Sequence, residues 1–172
     1  MSFLDPRLGK AAAFGGTLLR QKKNRYARPL STKLPIHLVI KSSQAKGGWS
    51  FLLPRNRRIL ENTLKLMAKL YGVRVLEVGN SGNHCHFLLR ISNRQLYKSF
   101  IRAFTGTMVR KICGTAKLAR RFFDFRPFSR VVIGWRGYQI ARDYVWLNHL
   151  EGLGVIPSRS QAKTVHLITN SS

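Results

Sequence analysis

Apolar residues recur along this chain in two rhythms, one of period two and one near period four. After Pro35, Ile36-His37-Leu38-Val39-Ile40 is a short run rich in β-branched and aliphatic residues and predicts a first strand. Pro54 opens a predicted helix over 54–71, with Leu60, Leu64, Met67 and Tyr71 on one face and Gly72 at its end. Residues 73–78 predict a second strand. The turn-forming run Gly79-Asn80-Ser81-Gly82-Asn83 separates it from a third over His84–Ile91, so the pair reads as a hairpin. A second helix is predicted from 93 or 94 to 113, with Leu96, Phe100, Phe104, Met108 and Ile112 spaced by four. A fourth strand over 128–133 and a last helix over 138–153 complete the set. Strands and helices do not alternate strictly, so a parallel sheet is excluded. The pattern predicts an α+β fold, an antiparallel β-sheet with helices packed mainly on one face. Three segments follow from it: a basic N-terminal arm over 1–34, a folded domain over 35–157 and a polar tail over 158–172.

Charge narrows what such a domain can meet. Thirty-one Lys and Arg stand against six Asp and Glu, a net charge of +25. Like charge at that density repels itself in a compact body and calls for a polyanionic partner, which points to nucleic acid. Phosphate-contact candidates are Arg20, Lys22, Lys23 and Arg25 in the arm, Lys98, Arg102, Arg110 and Lys111 on the second helix, and Arg120 and Arg121 after it. No apolar run reaches the ~18 residues that span a bilayer, so no membrane partner is expected. Cys85 and Cys113 form no spaced framework, which fits a reduced compartment. The acid shortage also excludes a chemistry. Six widely separated carboxylates, Asp5, Glu61, Glu77, Asp124, Asp143 and Glu151, are poor material for a two-metal carboxylate nuclease.

Two small constellations carry candidate chemistry. In a strand, residues two apart share a face, so His84 and His86 lie side by side and can share one metal ion. Cys85, Phe87, Leu89 and Ile91 then face the core, with Cys85 as a small buried hydrophobe. On the last helix, Tyr144 and Asn148 are four apart and project from one face. Trp146, Leu150 and Leu153 form a separate stripe read as core. His149 reads as a surface residue. Trp135 and Tyr138 read as packing residues that are also able to stack on a base.

These pieces, in this order, resemble a known family. Gly82-Asn83-His84-Cys85-His86-Phe87-Leu88-Leu89 resembles the Asn-His-hydrophobic-His strand of the single-tyrosine HUH transposases. Tyr144-Val145-Trp146-Leu147-Asn148 resembles their Tyr-x-x-x-Asn helix, and Pro35-Ile36-His37-Leu38-Val39 their first strand. Arg126-Pro127-Phe128-Ser129-Arg130-Val131-Val132 resembles the strand before the catalytic helix in one branch of the family, and the ordered set as a whole resembles the REP-associated tyrosine transposases. The likeness runs from about residue 35 to 157. It departs where His149 follows Asn148, a place the family often gives to Pro, and where Gly82 stands in place of a Pro before Asn-His.

The resemblance implies an HUH endonuclease fold with a ferredoxin-like or RRM-like core. It also implies a divalent ion, Mg²⁺ or Mn²⁺, on His84, His86 and Asn148, with Tyr144 as a covalent nucleophile. The expected activity is cutting single-stranded DNA beside a hairpin through a 5′-phosphotyrosine, then rejoining strands. The expected partners are repetitive extragenic hairpins or transposon ends, met by a chain expected to act as a monomer in the nucleoid-associated bacterial cytoplasm. A domesticated nuclease or a replication initiator would use the same fold. A noncatalytic basic nucleic-acid-binding module explains the charge as well, but predicts neither the His-x-His strand nor the Tyr-x-x-x-Asn helix.

Overall fold

The computed structural model describes residues 14–15, 29–116, 118, 121–124 and 126–157. Arg20, Lys22, Lys23, Arg25, Arg120 and the tail over 158–172 lie outside them. In chain order the elements are β1 (Phe14–Gly15), β2 (Ile36–Lys41), α1 (Pro54–Leu70), β3 (Val73–Asn80), β4 (His84–Ile91), α2 (Arg94–Cys113), β5 (Phe128–Val131) and α3 (Gly134–Gly152). The strands form one antiparallel sheet in the order β1-β5-β2-β4-β3. The α+β class predicted from the pattern is the observed one. β1 lies inside the segment expected to be a basic arm and pairs with the edge of β5.

Period-two alternation divides the sheet into two faces. Ile36, Leu38 and Ile40 of β2 and Cys85, Phe87, Leu89 and Ile91 of β4 point to one of them. α1 and α2 cover that face with Leu60, Leu64, Tyr97, Phe100, Phe104 and Met108, and this is the main core. Asn93 begins α2 as a cap, its Oδ1 accepting from the amides of Gln95 at 2.7 Å and Leu96 at 3.1 Å. Leu96, expected in the α2 stripe, is 42% exposed, and Tyr97 takes its place at 1%. The reason is geometric. A spacing of four over-rotates against the 3.6-residue turn, so a stripe followed back from Phe100 continues at i−3.

α3 covers the opposite face, and it does so sparingly. Val145, Leu88 and Val132 form a small buried seam, with Leu76, Tyr138 and Ala141 against it. The stripe expected as core is not there: Trp146 is 53% and Leu153 46% exposed. α3 instead approaches by backbone. A Cβ on Gly79 of β3 would run into the Val145 carbonyl oxygen, and one on Gly152 would lie 2.5 Å from the Asn80 carbonyl oxygen. Two glycines, one on each partner, let the helix lie directly on the β3 end of the sheet. α3 also starts at Gly134, four residues before the predicted 138, and β5 ends correspondingly early.

Candidate functional site

The site lies where α3 crosses the polar positions of β2 and β4. His84 and His86 share the α3 side of β4, as their spacing requires, with ring centroids 4.9 Å apart. Helix α3 brings Tyr144 and Asn148 over them. The Tyr144 ring stands edge-on to His86 at 5.3 Å between centroids. Asn148 is buried, its Nδ2 donating to the Tyr144 carbonyl at 2.7 Å. Ser81 Oγ donates to the Asn148 carbonyl at 2.7 Å and ties this turn of α3 to the β3–β4 turn. All four residues singled out from the sequence therefore meet at one place.

The structure adds His37, a residue not singled out as a site candidate. His37 has the same parity as Val39 and Lys41 in β2, so it faces α3 while its neighbours Ile36 and Leu38 enter the core. It is a diagonal neighbour of His86 across the β2–β4 ladder, within side-chain reach. Its Nε2 lies 3.1 Å from His86 Nδ1, and its ring is edge-on to Tyr144 at 5.8 Å. The available signal was a lone histidine at an outward position of an apolar strand.

Two cations flank the histidines. Arg130 of β5 lies directly across from His37, and Lys41 directly across from His84. Their effect shows in the titration of the rings. Burial, then the Arg130 charge, pushes His37 down to about 4. Burial is also the largest influence lowering His84, aided by Lys41 and opposed by a hydrogen bond to the Asn148 side chain and by Glu151. Both rings are therefore neutral at pH 7, the form that can ligate a metal or accept a proton. Cys85 is fully buried, and burial raises its thiol far above the usual range, so it is packing and not a ligand.

The donors fit a divalent ion. His84 Nδ1 lies 2.7 Å from Asn83 Oδ1, which leaves Nε2 as its ligating nitrogen. Asn148 spends its amide nitrogen on the Tyr144 carbonyl, which leaves Oδ1. Two imidazoles and an amide oxygen suit a borderline or hard divalent cation with open positions. Among the described residues no group of three or more His, Cys, Asp or Glu is placed to hold a metal ion by itself.

The basic exterior of α2 is elsewhere. Lys98, Arg102, Arg110 and Lys111 are exposed, but α2 packs on the opposite face of the sheet. The sheet thus separates these expected DNA contacts from the histidines. Arg121 is exposed in the segment between α2 and β5. His149, expected at the surface, is half-buried with Nδ1 3.4 Å from the Asn80 carbonyl oxygen. It lines a cavity of about 530 Å³ with Leu60, Leu64, Val75, Lys65 and Lys69. Trp135, expected to pack, is 70% exposed and stacks on half-buried Tyr138 at 5.6 Å. Among the described residues no helix is long and apolar enough to cross a membrane.

An α+β fold with a histidine pair beneath a tyrosine-bearing helix is what the chain presents. Its fold is that of a REP-associated tyrosine transposase solved bound to a REP hairpin. The TM-score is 0.61, at 13% identity, over 75% of this chain and 74% of that one. A transposase candidate from Deinococcus radiodurans R1 aligns over 75% of this chain and 98% of its own, at 14% identity and a TM-score of 0.44. No protein-family model and no curated protein matches the chain.

Proposed function

We propose that this protein is a metal-dependent single-stranded DNA endonuclease and strand transferase of the HUH type. The observation that carries the reading is the convergence of Tyr144 and Asn148 on His84 and His86. They come from elements about 60 residues apart in the chain, and the side chains of His84 and Asn148 lie within hydrogen-bonding reach of each other. The neighbour with the same fold is bound to a REP hairpin, which supports hairpin-flanked DNA as the substrate. The charge of +25 supports a phosphate-rich partner of any sequence.

In this reading the Tyr144 phenolic oxygen attacks the scissile phosphorus. The new P–O bond leaves a 5′-phosphotyrosine, the bond to the 3′ oxygen breaks, and a free 3′-OH departs. The phenol gives up one proton as the new bond forms and the departing 3′ oxygen takes one up, directly or through water, so the exchange is proton-neutral. A divalent ion, Mg²⁺ or Mn²⁺, held by His84, His86 and Asn148, would supply Lewis-acid stabilisation of the phosphoryl oxygens. Arg130 and Lys41, on either side of the histidines, hold the flanking phosphates. Asn148 is fixed by its bond to the Tyr144 carbonyl, so the nucleophile and that ligand move as one turn of helix. The phosphotyrosine conserves the energy of the bond it replaces, so a 3′-OH attacking it rejoins strands without ATP.

The test incubates the protein with single-stranded hairpin DNA and Mn²⁺ and looks for a covalent adduct that resists denaturant. Wild type should form it, chelator should abolish it, and Tyr144→Phe should bind the DNA without forming it. An adduct retained by Tyr144→Phe removes Tyr144 as nucleophile. Binding without cleavage of any hairpin favours a noncatalytic DNA-binding module.

A further inference from the structure

A neutral imidazole presents a lone pair on only one of its two nitrogens, so a histidine that serves at Nε2 must have its proton held at Nδ1. His84 solves this locally. Its Nδ1 meets Asn83 Oδ1, an oxygen that can only accept, at 2.7 Å. What His86 Nδ1 meets is Nε2 of His37, on β2, at 3.1 Å.

The geometry of that contact is informative. The two ring planes differ by 13° and their centroids are 5.4 Å apart. That separation equals the N···N distance plus the two ring radii. Both nitrogens therefore lie on the line joining the ring centres, and the contact runs in the ring planes. It is an edge-to-edge hydrogen bond along lone-pair directions and not a face-to-face stack. His37 is held in place for it: it is 9% exposed and its ring abuts Tyr144. An imidazole so placed accepts through Nε2 when its own proton sits on Nδ1.

We propose that His37 is a positioning residue whose Nε2 accepts the Nδ1–H of His86, turning the lone pair of His86 Nε2 toward the ion-binding donors. The proposal rests on the metal-dependent reading above. It makes the two halves of the histidine pair equivalent: each ring is oriented by a hydrogen bond at Nδ1, one to the amide oxygen of its neighbour in sequence and one to the adjacent strand. Such outer partners fix the tautomer of a ligating imidazole and raise its basicity. His37 also touches the nucleophile, so one side chain sets the relative placement of His86 and Tyr144.

The experiment uses the full chain and Mn²⁺ as probe. Nitrogen-15 ring spectra of the metal-free wild type should show His86 as the Nδ1–H tautomer. Mn²⁺ affinity, read by calorimetry or by the spin signal of free Mn²⁺, should fall about 10- to 100-fold in His37→Phe. His37→Gln, whose side-chain oxygen can accept the same proton, should recover most of that loss. An Nε2–H tautomer for His86 in wild type overturns the proposal, and this result needs no variant to fold. Mn²⁺ binding by folded His37→Phe equal to wild type overturns it too, and leaves the functional reading standing. Failure of wild type to bind Mn²⁺ overturns both.

Discussion

The two faces of the sheet are made by the same strands, and they differ in chemistry and in depth of burial. On the α1/α2 side, β2 and β4 contribute Ile36, Leu38, Ile40, Cys85, Phe87 and Leu89, all at most 1% exposed. On the α3 side the alternate positions include His37 at 9%, Val39 and His86 at 3% each, and Leu88 at 0%. The first face gathers hydrocarbon. The second encloses polar rings and gives each a defined partner, as buried polar groups require. Stability is concentrated on one side of the sheet and candidate chemistry on the other, which lets the second be altered without loss of the first.

The largest effect expected from that division is in stability. Phe104 stacks on Phe100 at 5.6 Å and meets Phe87 edge-on at 5.8 Å. Phe104→Ala should cost about 3–5 kcal/mol, read by urea unfolding. Tyr144→Phe should cost less than about 1 kcal/mol in the same assay while abolishing the adduct. Comparable destabilisation by the two substitutions would erase the asymmetry between the faces.

Acid should act on the α3 side first. His37 is held neutral with a folded value of about 4, below the ordinary 6.5. Above pH 6.5 both folded and unfolded chains carry it neutral, and stability is at its full level. As pH falls from 6.5 to about 4 the unfolded chain takes up the proton first, and roughly 3 kcal/mol of stability is lost. Below that the folded chain is protonated too and the slope from this group vanishes. Replacement by Gln should flatten this part of the profile, measured as the difference in unfolding free energy between the variant and wild type across pH 4–7. Parallel wild-type and His37→Gln profiles would show that burial of His37 is not what the acid attacks.

A pair of glycine substitutions sharpens the contrast with opposite signs. Gly79→Ala places a methyl against the Val145 backbone, where there is no room. It should cost about 1–3 kcal/mol and suppress adduct formation by lifting Tyr144 from His86. At Gly106 in α2 an added methyl would meet nothing within 4 Å. Gly106→Ala should gain about 0.5–1 kcal/mol and leave adduct formation unchanged. Adduct formation at the wild-type rate in Gly79→Ala would mean that close approach of α3 is not what builds the site.

The smallest effect concerns charge. Replacing Lys98, Arg102, Arg110 and Lys111 together by Gln should weaken binding in low salt and make its salt dependence shallower, by up to ~0.7–0.9 in slope for each phosphate no longer neutralised. Adduct formation at saturating DNA should stay near the wild-type rate, because these side chains lie across the sheet from Tyr144. Arg130→Gln alone should slow it more than all four together. The reverse order would move the DNA path to the α2 side.

Much of this arrangement was legible in the sequence where it depends on local periodicity. Strand alternation separated His84 and His86 from Cys85 and Phe87 without any knowledge of neighbours, and helical spacing put Tyr144 beside Asn148. What was hidden depends on pairing between distant segments. His37 joins the site only because β2 lies beside β4 in a particular register, and Arg130 only because β5 lies on the other side of β2. The core of α3 was misread for a related reason. Apolar spacing favoured Trp146 and Leu153, but Gly79 and Gly152 let the opposite side of the helix sit on the sheet, where Val145 and Ala141 suffice. The cations of α2 form a basic stripe that the sequence describes correctly as exposed. Which face of the sheet bears the stripe is a property of topology.

If Tyr144 is the nucleophile that α3 delivers to the histidine pair, the DNA must be bonded to it. Protease digestion of the denatured covalent adduct, followed by mass spectrometry of the nucleotide-bearing peptide, tests this most directly. A single nucleotide mass is expected on Tyr144, joined through its 5′ phosphate. Attachment to Tyr138 or another residue, or through a 3′ phosphate, would contradict it.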